Sequence, residues 1–192
     1  LTVPGIHNIS NALATIAVAD HLGISKESVA DGFTAFHGAD RRFQLKGEVN
    51  GITVIDDYAH HPTEINVTLR AARQTRPNRL IVVFQPHRYS RTQLLYKEFC
   101  TCFGKCDELI LTNIYAASEP PIPGVSGEKL ANGITAATGQ EVKFLPYLTN
   151  VRDYLEGIVQ KGDLVMTIGA GDIFKVGEEL VKELEHKHEA NH

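Results

Sequence analysis

Two short runs of this sequence combine side chains that can bind charged ligands and transfer protons. The run D-D-Y-A-H-H-P at positions 56–62 places two carboxylates beside two imidazoles, and Q-P-H-R-Y-S-R at 85–91 places two guanidinium groups beside a third imidazole. A guanidinium group binds a carboxylate or a phosphate through paired hydrogen bonds, and an imidazole titrates near neutral pH. The two runs therefore predict a site for an anionic ligand with proton-transfer groups beside it.

The same residues also have structural interpretations. Asp56 and Asp57 could form a turn or face a helix N-terminus, and only one of them can readily face a ligand because side chains alternate along a strand. One of His60 and His61 could be a structural hydrogen-bonding residue and the other exposed, although beside an acid pair we expect at least one to be functional. The two arginines of the second run could instead form a solvated surface.

The segments around these runs predict an α/β protein. Short apolar segments rich in β-branched residues are typical of strands, and helical patterns separate them. Near-continuous apolar strands alternating with helices predict a mostly parallel sheet with helices on both faces. The predicted strands are 51–56, 79–86, 107–115, 142–147 and 163–169, with 43–49 as an edge strand paired through an Asn50-Gly51 turn; the predicted helices are 62–76, 91–105, 126–138, 150–161 and 173–188.

The polar runs lie where such a sheet binds ligands. In an open α/β sheet, loops and helix N-termini converge outside the carboxyl ends of the strands. Both runs follow a strand and precede a helix, as do residues 115–121 and the G-A-G-D run at 169–172. Pro62 suits the first position of a helix, and Ser90 with Gln93 has the spacing of a capping box. All four clusters are therefore predicted to meet at one edge of the sheet.

Two helices are predicted before the sheet. Apolar residues recur at helical spacing over 7–23, and Ser25 can cap a second helix over 26–36. Two short helices cannot bury a core by themselves, and the chain begins with Leu1 instead of Met. We therefore expect a fragment of a longer protein. The predicted division is 1–37, the tail of a preceding domain, and 38–192, a second domain with a frayed polar end.

Composition is that of an ordinary globular protein, with 43% hydrophobic residues among 192. The 19 Lys and Arg against 23 Asp and Glu give a formal net charge of −4, which does not favour nucleic-acid binding. No apolar run approaches the ~20 residues of a membrane span. An odd number of cysteines argues against a disulfide framework and for a reducing compartment, and their spacing does not suit zinc. Cys100, Cys102 and Cys106 are predicted to be plain helical thiols.

Several common motifs do not occur in the sequence. There is no phosphate loop of the G-x-x-x-x-G-K-[ST] type, so the chain alone has no cradle for a nucleotide triphosphate. Phe174 occupies the third glycine position of a dinucleotide fingerprint that would begin at Gly169, which argues against NAD. A nucleophile elbow of the G-x-S-x-G type does not occur either.

Five segments follow one another in order along the chain: H-N-I-S-N-A-L-A from position 7, R-R-F-Q from 41, D-D-Y-A-H-H-P-T-E from 56, F-Q-P-H-R-Y-S-R-T from 84 and G-A-G-D-I from 169. Together they resemble the Mur ligases of peptidoglycan precursor synthesis. The fourth is the most specific and resembles the alanine-adding members of the family, whereas Ala59 stands where relatives often have Gly. The resemblance implies a bacterial cytoplasmic enzyme of three domains. This chain would contain the end of the central ATPase domain and the whole C-terminal Rossmann-like domain.

The resemblance also implies a reaction and an ATP site. With ATP and Mg²⁺, the enzyme would phosphorylate the lactoyl carboxylate of UDP-N-acetylmuramate, and the amine of L-alanine would attack the resulting acyl phosphate. Asn8 and Asn11 would contact adenine, Arg42 the phosphates, where it would also be catalytic, and Asp57 the ribose. The two asparagines could instead cap or solvate their helix. Upstream domains of the same polypeptide would provide most of the metal ligands and would bind the UDP-sugar.

For the amino acid, the resemblance implies a carboxylate clamp formed by Arg88 and Arg91. His60 or His61 could help to deprotonate the amine. The walls of the amino-acid site, which leave room for one methyl group, would be Tyr58, His60 and His87.

Two alternative functions are compatible with the sequence. One is a related ligase of the same family that attaches a recycled peptide to the same nucleotide sugar. The other is a non-catalytic α/β module that binds an amino acid or a nucleotide. A phosphate loop upstream of the chain would favour a ligase over such a module.

Overall fold

The structure is a computed structural model that describes residues 5–36 and 38–190. Leu1, the predicted boundary residue His37 and the last two residues of the predicted polar end lie outside the described residues. The helices and strands of the described part are α1 (Ile6–His21), α2 (Lys26–Ala35), β1 (Gln44–Val49), β2 (Ile52–Asp57), α3 (Pro62–Gln74), β3 (Arg79–Phe84), α4 (Tyr89–Leu94), α5 (Tyr96–Phe99), β4 (Glu108–Leu111), α6 (Gly127–Thr138), β5 (Val142–Phe144), α7 (Leu148–Ile158), β6 (Asp163–Ile168) and α8 (Phe174–Ala190).

The strands form a single sheet in the order β1-β2-β6-β3-β4-β5. β1 is antiparallel to β2, and all other neighbouring strands are parallel. Asn50 and Gly51, with φ angles of 54° and 75°, form the tight turn between β1 and β2, where both residues need positive φ. The predicted mostly parallel sheet, its edge strand and the turn that pairs it are therefore confirmed.

Helices cover both faces of the sheet. α3, α6 and the segment from Phe99 to Cys106 pack on one face, and α7 and α8 pack on the other. The central strands β3 and β6 are almost wholly buried, which explains why they appear in sequence as continuous apolar runs. The predicted layer arrangement is confirmed.

The structure differs from the sequence prediction between residues 88 and 106. The single helix predicted over 91–105 is replaced by α4, α5 and a series of turns, which wrap the rings of Phe99 and Phe103 around Phe84 at 5.6 and 5.1 Å. Helical spacing of apolar residues suits short helical turns as well as one long helix, so periodicity could not distinguish them. The three cysteines are free and buried, but they lie at the end of α5 and in these turns instead of inside a helix.

The predicted capping box at Ser90 is wrong. Ser90 lies inside α4, whose N-cap is Arg88, and its hydroxyl donates to Glu119 Oε1 at 2.6 Å. A capping box instead begins α3, where the His61 side chain accepts a backbone hydrogen bond and the Glu64 carboxylate accepts in return. The helix start predicted at Pro62 is confirmed.

The first two helices leave much apolar surface exposed. Ser25 caps α2 by accepting from the amide of Ser28, as predicted. Along α1, the side chains of Ile6, Ile9, Leu13 and Ile16 are all exposed. That these helices belong with a preceding domain stays a prediction. Within the described residues, none of the helices combines the length and apolarity that a membrane crossing requires.

Candidate functional site

The loops after β2, β3 and β4 meet at the carboxyl edge of the sheet. The rings of His60 and His87, from the first two loops, lie 6.2 Å apart between centroids. His87 stacks on Tyr115 from the third loop, with centroids 5.6 Å apart and an interplanar angle of 10°. The amide of Tyr115 donates to the Pro86 carbonyl at 2.8 Å, and the Arg88 amide donates to the Tyr115 carbonyl at the same distance. The structure therefore brings these predicted clusters into one crevice.

The G-A-G-D run after β6 joins the same edge through Gln85. The Gln85 side chain donates to Asp172 Oδ1 at 2.8 Å and accepts from the Ile173 amide at 3.2 Å. A Cβ atom at Gly171 would collide with the Gln85 side chain and the Tyr115 ring. Glycine is required at position 171 because the backbone approaches these side chains so closely. This run therefore has a packing role at the floor of the crevice.

The two neighbouring histidines of the first cluster have different roles. His61 Nδ1 accepts from the Thr63 amide at 3.2 Å, so this ring caps α3. His60 Nδ1 lies 3.0 Å from the carbonyl oxygen of Tyr58, which can only accept, so Nδ1 carries the proton. In the neutral His60 ring, Nε2 is then left to accept a proton. Of the two candidate bases, His60 is the one whose ring lies beside that of His87.

His87 is held neutral by its surroundings. A guanidinium nitrogen of Arg91 lies 3.2 Å from His87 Nδ1 and 3.3 Å from the His87 carbonyl oxygen. Burial, followed by the charges of Arg91, His60 and Arg88, lowers the pKa of His87 below its usual 6.5. A neutral ring whose Nδ1 accepts from Arg91 carries its proton on Nε2.

The two predicted clamp arginines have different partners. Arg91 is half-buried against His87, whereas the side chain of Arg88 is half exposed and its guanidinium lies 4.0 Å from Glu119. Glu119 also accepts from the amide and hydroxyl of Ser90, and these bonds lower the pKa of its carboxyl group. Glu119 was not among the predicted site residues, although it lies in the cluster at 115–121. The loop after β4 therefore takes part in orienting Arg88.

A cavity of about 580 Å³ separates α1 and α2 from the sheet domain. Its walls include the aromatic rings of Phe33, Phe36 and Phe43. Apolar walls with a few polar groups are usual for a cavity that binds a small molecule. All four residues predicted to contact ATP line it: Asn8, Asn11, Arg42 and Asp57.

Asp57 is strongly engaged by the backbone. Its two oxygens accept from the amides of Ala59 at 2.8 Å and Phe43 at 2.9 Å, and only 4% of the residue is exposed. Burial raises the pKa of Asp57, against the lowering effect of these two hydrogen bonds and of Arg42. Asp57 therefore holds together the loop that borders the cavity, and its predicted contact with ribose would be an addition to that role.

Arg41 is a central residue that the sequence predictions passed over. Its guanidinium donates to Asp56 Oδ2 at 2.9 Å and to the carbonyl oxygens of Gly169 and Gly171 at 2.6 and 3.0 Å. Asp56 is fully buried and also accepts from the Thr167 hydroxyl at 2.7 Å. Asp56 is thus an ion-pair partner and not the turn former that its alternative interpretation offered. The available sequence signal was a basic residue just before a predicted hairpin whose second strand ends in two acids.

The described residues contain no group of three or more His, Cys, Asp or Glu side chains that could hold a metal ion. Two of the cysteines are also unreactive thiols, because burial raises the pKa of Cys106 to about 11 and raises that of Cys102 still further. A thiol that stays protonated at neutral pH is a poor nucleophile and a poor metal ligand.

Comparison with known proteins gives the family. Residues 41–171 match the family model described as Mur ligase, glutamate ligase domain. The chain belongs to the Mur ligase family. The match begins at Arg41 and ends at Gly171, two residues that a hydrogen bond joins in the structure.

Individual Mur ligases are similar over nearly the whole chain. A protein of Desulforamulus reducens named UDP-N-acetylmuramate–L-alanine ligase is 52% identical over 97% of the chain. One of the same name from Trichlorobacter lovleyi is 54% identical over 95%. In both cases the matched part is 40% of the relative, so the chain spans about two fifths of the length of these proteins.

Solved structures of Mur ligases share the fold. UDP-N-acetylmuramate-alanine ligase from Thermotoga maritima superposes with a TM-score of 0.81 at 30% identity, covering 96% of this chain and 39% of that one. A murein peptide ligase from Psychrobacter arcticus gives 0.66 at 24% identity, covering 94% and 37%, which shows likeness of fold only.

Proposed function

We propose that this chain is the part of an ATP-dependent ligase that binds L-alanine and completes the ATP site, in an enzyme that joins L-alanine to UDP-N-acetylmuramate. The observation that carries the proposal is that Asn8, Asn11, Arg42 and Asp57 line one cavity beside the crevice of His60 and His87. The names of the similar proteins from Desulforamulus reducens and Thermotoga maritima support the choice of substrates. Buried reduced thiols suit the bacterial cytoplasm.

The chemistry requires two activated groups. A carboxylate is a poor electrophile and an ammonium group has no lone pair, so the two do not condense in water. ATP activates the lactoyl carboxylate as an acyl phosphate, and the crevice must present L-alanine with a deprotonated amine near the acyl carbon. In this proposal Arg91 and Arg88 bind the carboxylate of alanine.

The walls of the crevice then orient the amine. Arg91 contacts His87, the His60 ring lies beside the His87 ring, and the rings of Tyr58 and His60 meet edge to face at 5.4 Å. The free Nε2 of His60 is the atom we assign to receive a proton from the amine. His87, neutral and with Nε2–H as a donor, orients the substrate without adding charge.

The cavity between α1 and the sheet domain takes the nucleotide in this proposal. Asn8 and Asn11 meet the adenine, Arg42 the phosphates and Asp57 the ribose. Mg²⁺, when bound, neutralises phosphate charge, and we assign its ligands to the upstream domains together with the site for the UDP-sugar. Residues 1–37 would then be the tail of the central domain, so ATP binding would draw the two domains together.

The test is a ligation assay with the complete protein that contains this chain. ATP, Mg²⁺ and UDP-N-acetylmuramate are supplied with either L-alanine or a cell-wall tripeptide, and the products are identified by mass. The proposal expects ligation of alanine and release of ADP and inorganic phosphate. Ligation of the tripeptide alone would identify the peptide-attaching relative, and ligation of neither would indicate a binding module. The 192-residue chain by itself should turn over no ATP.

A further inference from the structure

We propose that Arg41 is a positioning residue that fixes the amino-acid crevice and the ATP cavity relative to each other. The inference rests on the proposed function, since it concerns those two sites. Arg41 is not among the residues assigned to either site. Its importance comes from the way its side chain and its backbone connect the segment after α2 with the carboxyl ends of β2 and β6.

The guanidinium group of Arg41 fastens this segment to the sheet. Its hydrogen bonds to Asp56, Gly169 and Gly171 reach the ends of two adjacent parallel strands. Asp56 is fully buried, so loss of Arg41 would remove the positive charge that pairs with this carboxylate in the core. Only a guanidinium can donate in three directions from one plane, and Lys cannot reproduce this geometry.

The same guanidinium supports a wall of the amino-acid crevice. It lies 5.0 Å from the centre of the Tyr58 ring and 4.7 Å from the centre of the Phe174 ring. Tyr58 in turn packs edge to face against His60. A change at Arg41 therefore shifts the support of Tyr58, which we assign to the alanine site.

The backbone around Arg41 also joins the segment after α2 to the end of β2. The carbonyl oxygen of Arg41 accepts from the Tyr58 amide at 2.6 Å, and the Phe43 amide donates to Asp57 Oδ2 at 2.9 Å. Residues 41–43 are thus held against residues 56–58, and we call these two segments together the clasp. Arg41 and Phe43 have φ angles of 57° and 48°, an unfavourable region for side-chain-bearing residues that surrounding contacts must maintain.

The residues of this clasp face both proposed sites. Arg42 and Phe43 line the ATP cavity, as does Asp57, while the Tyr58 ring packs against His60 of the crevice. Displacement of the clasp by even a fraction of an ångström would move phosphate contacts and amino-acid contacts together. Arg41 therefore acts on both sites through the residues it holds and touches neither substrate.

The test uses the complete ligase carrying Arg41→Lys or Arg41→Gln, with Arg79→Lys as the matched control. Arg79 also pairs with a buried aspartate, Asp163, and with the carbonyl of Ile158, but at the opposite edge of the same sheet. We expect the KM values for alanine and ATP to rise together by about 10- to 100-fold in both Arg41 variants. The KM for UDP-N-acetylmuramate should stay within about twofold, and Arg79→Lys should lower the Tm without changing any KM.

A second measurement separates this inference from the proposed function. Hydrogen exchange of the segment 56–60 reports the clasp without any substrate, and it should accelerate in Arg41→Lys but not in Arg79→Lys. If the wild-type enzyme does not ligate alanine, the proposed function is wrong, and the exchange result alone decides whether the clasp exists. If the wild-type enzyme ligates alanine while Arg41→Lys keeps both KM values and normal exchange, Arg41 is not a positioning residue. Equal KM increases in Arg79→Lys would overturn the inference as well.

Discussion

The Nδ1 atom of His87 lies 3.2 Å from a guanidinium nitrogen of Arg91. A guanidinium group only donates hydrogen bonds, so His87 must accept through Nδ1, which requires the neutral ring. The pair thus joins a permanent cation to a histidine whose own protonation it opposes. The arrangement gives the crevice one fixed positive charge and one neutral donor, a combination suited to a small carboxylate.

Removal of Arg91 should raise the pKa of His87. In the 192-residue chain, an NMR titration of His87 should give a pKa below 6.5, and Arg91→Ala should bring it closer to that value. Burial is the largest cause of the shift, so the pKa should remain below 6.5 even then. Arg88→Ala should produce a smaller rise, since its charge contributes less than that of Arg91.

The sign of the accompanying pH effect on stability follows from the lowered pKa. His87 takes up a proton more readily in the unfolded chain than in the folded one. Its contribution to the free energy of unfolding is therefore complete above pH 6.5 and is lost as the pH falls toward the folded pKa. A His87 pKa at or above 6.5, or one that does not change in Arg91→Ala, would contradict the assignment of His87 as a neutral ring that accepts from Arg91.

Loss of either predicted clamp arginine should weaken alanine binding in the complete ligase. Arg88→Ala and Arg91→Ala each leave a carboxylate poorly paired, at a cost of about 2–5 kcal/mol, so the KM for alanine should rise by orders of magnitude. Lys at either position should rescue only in part, because it lacks the planar pair of donors.

The control for the clamp is Arg152→Ala, which removes an arginine that pairs with Asp153 on α7. The KM for ATP should move little in any of these variants. If all four clamp variants keep a near-normal KM for alanine, the two arginines are surface or phosphate contacts instead.

Substitution of two proposed nucleotide contacts should distinguish an effect on ATP binding from an effect on stability. Asn11→Ala and Asp57→Ala should each raise the KM for ATP, since a hydrogen bond is worth roughly 0.5–3 kcal/mol depending on charge. Asp57→Ala should also lower the Tm, because the amides of Phe43 and Ala59 lose their acceptor. Asn11 is exposed, so Asn11→Ala should keep the wild-type Tm. The control is Asn150→Ala, which also removes an exposed asparagine and should change neither the Tm nor the KM for ATP. An unchanged KM for ATP in both test variants would mean that the nucleotide binds elsewhere.

Two glycines in helices should respond oppositely to the same substitution. A Cβ at Gly127 would collide with the carbonyl oxygen of Thr112, so Gly127→Ala should destabilise the chain by about 1–3 kcal/mol. Gly157 in α7 has nothing within 4 Å of a Cβ, so Gly157→Ala should stabilise the chain by roughly 0.5–1 kcal/mol through helix propensity. Urea unfolding measures both. Equal effects of the two substitutions would show that the packing around Gly127 is looser than described.

Local patterns were enough to predict the layers of the fold and the edge where the polar clusters meet. Strand and helix periods are properties of consecutive residues, and the Asn50-Gly51 turn pairs β1 with β2 over only a few positions. The rule that ligand loops follow the carboxyl ends of parallel strands then placed His60 and His87 on one side. The same patterns could not divide residues 91–105 into α4, α5 and turns, because short and long helices share one period.

The partners of individual side chains depended on tertiary structure. β6 lies between β2 and β3, and that strand order brings Gly171 within reach of Arg41, 130 positions earlier in the chain. Local sequence does not reveal which of two neighbouring histidines will cap a helix and which will face a crevice, since both have the same chemistry. In the structure His61 caps α3 and His60 lies in the crevice, because the path of the chain into α3 points the two rings in different directions. Composition and spacing determine which elements form, whereas long-range pairing determines which side chains meet.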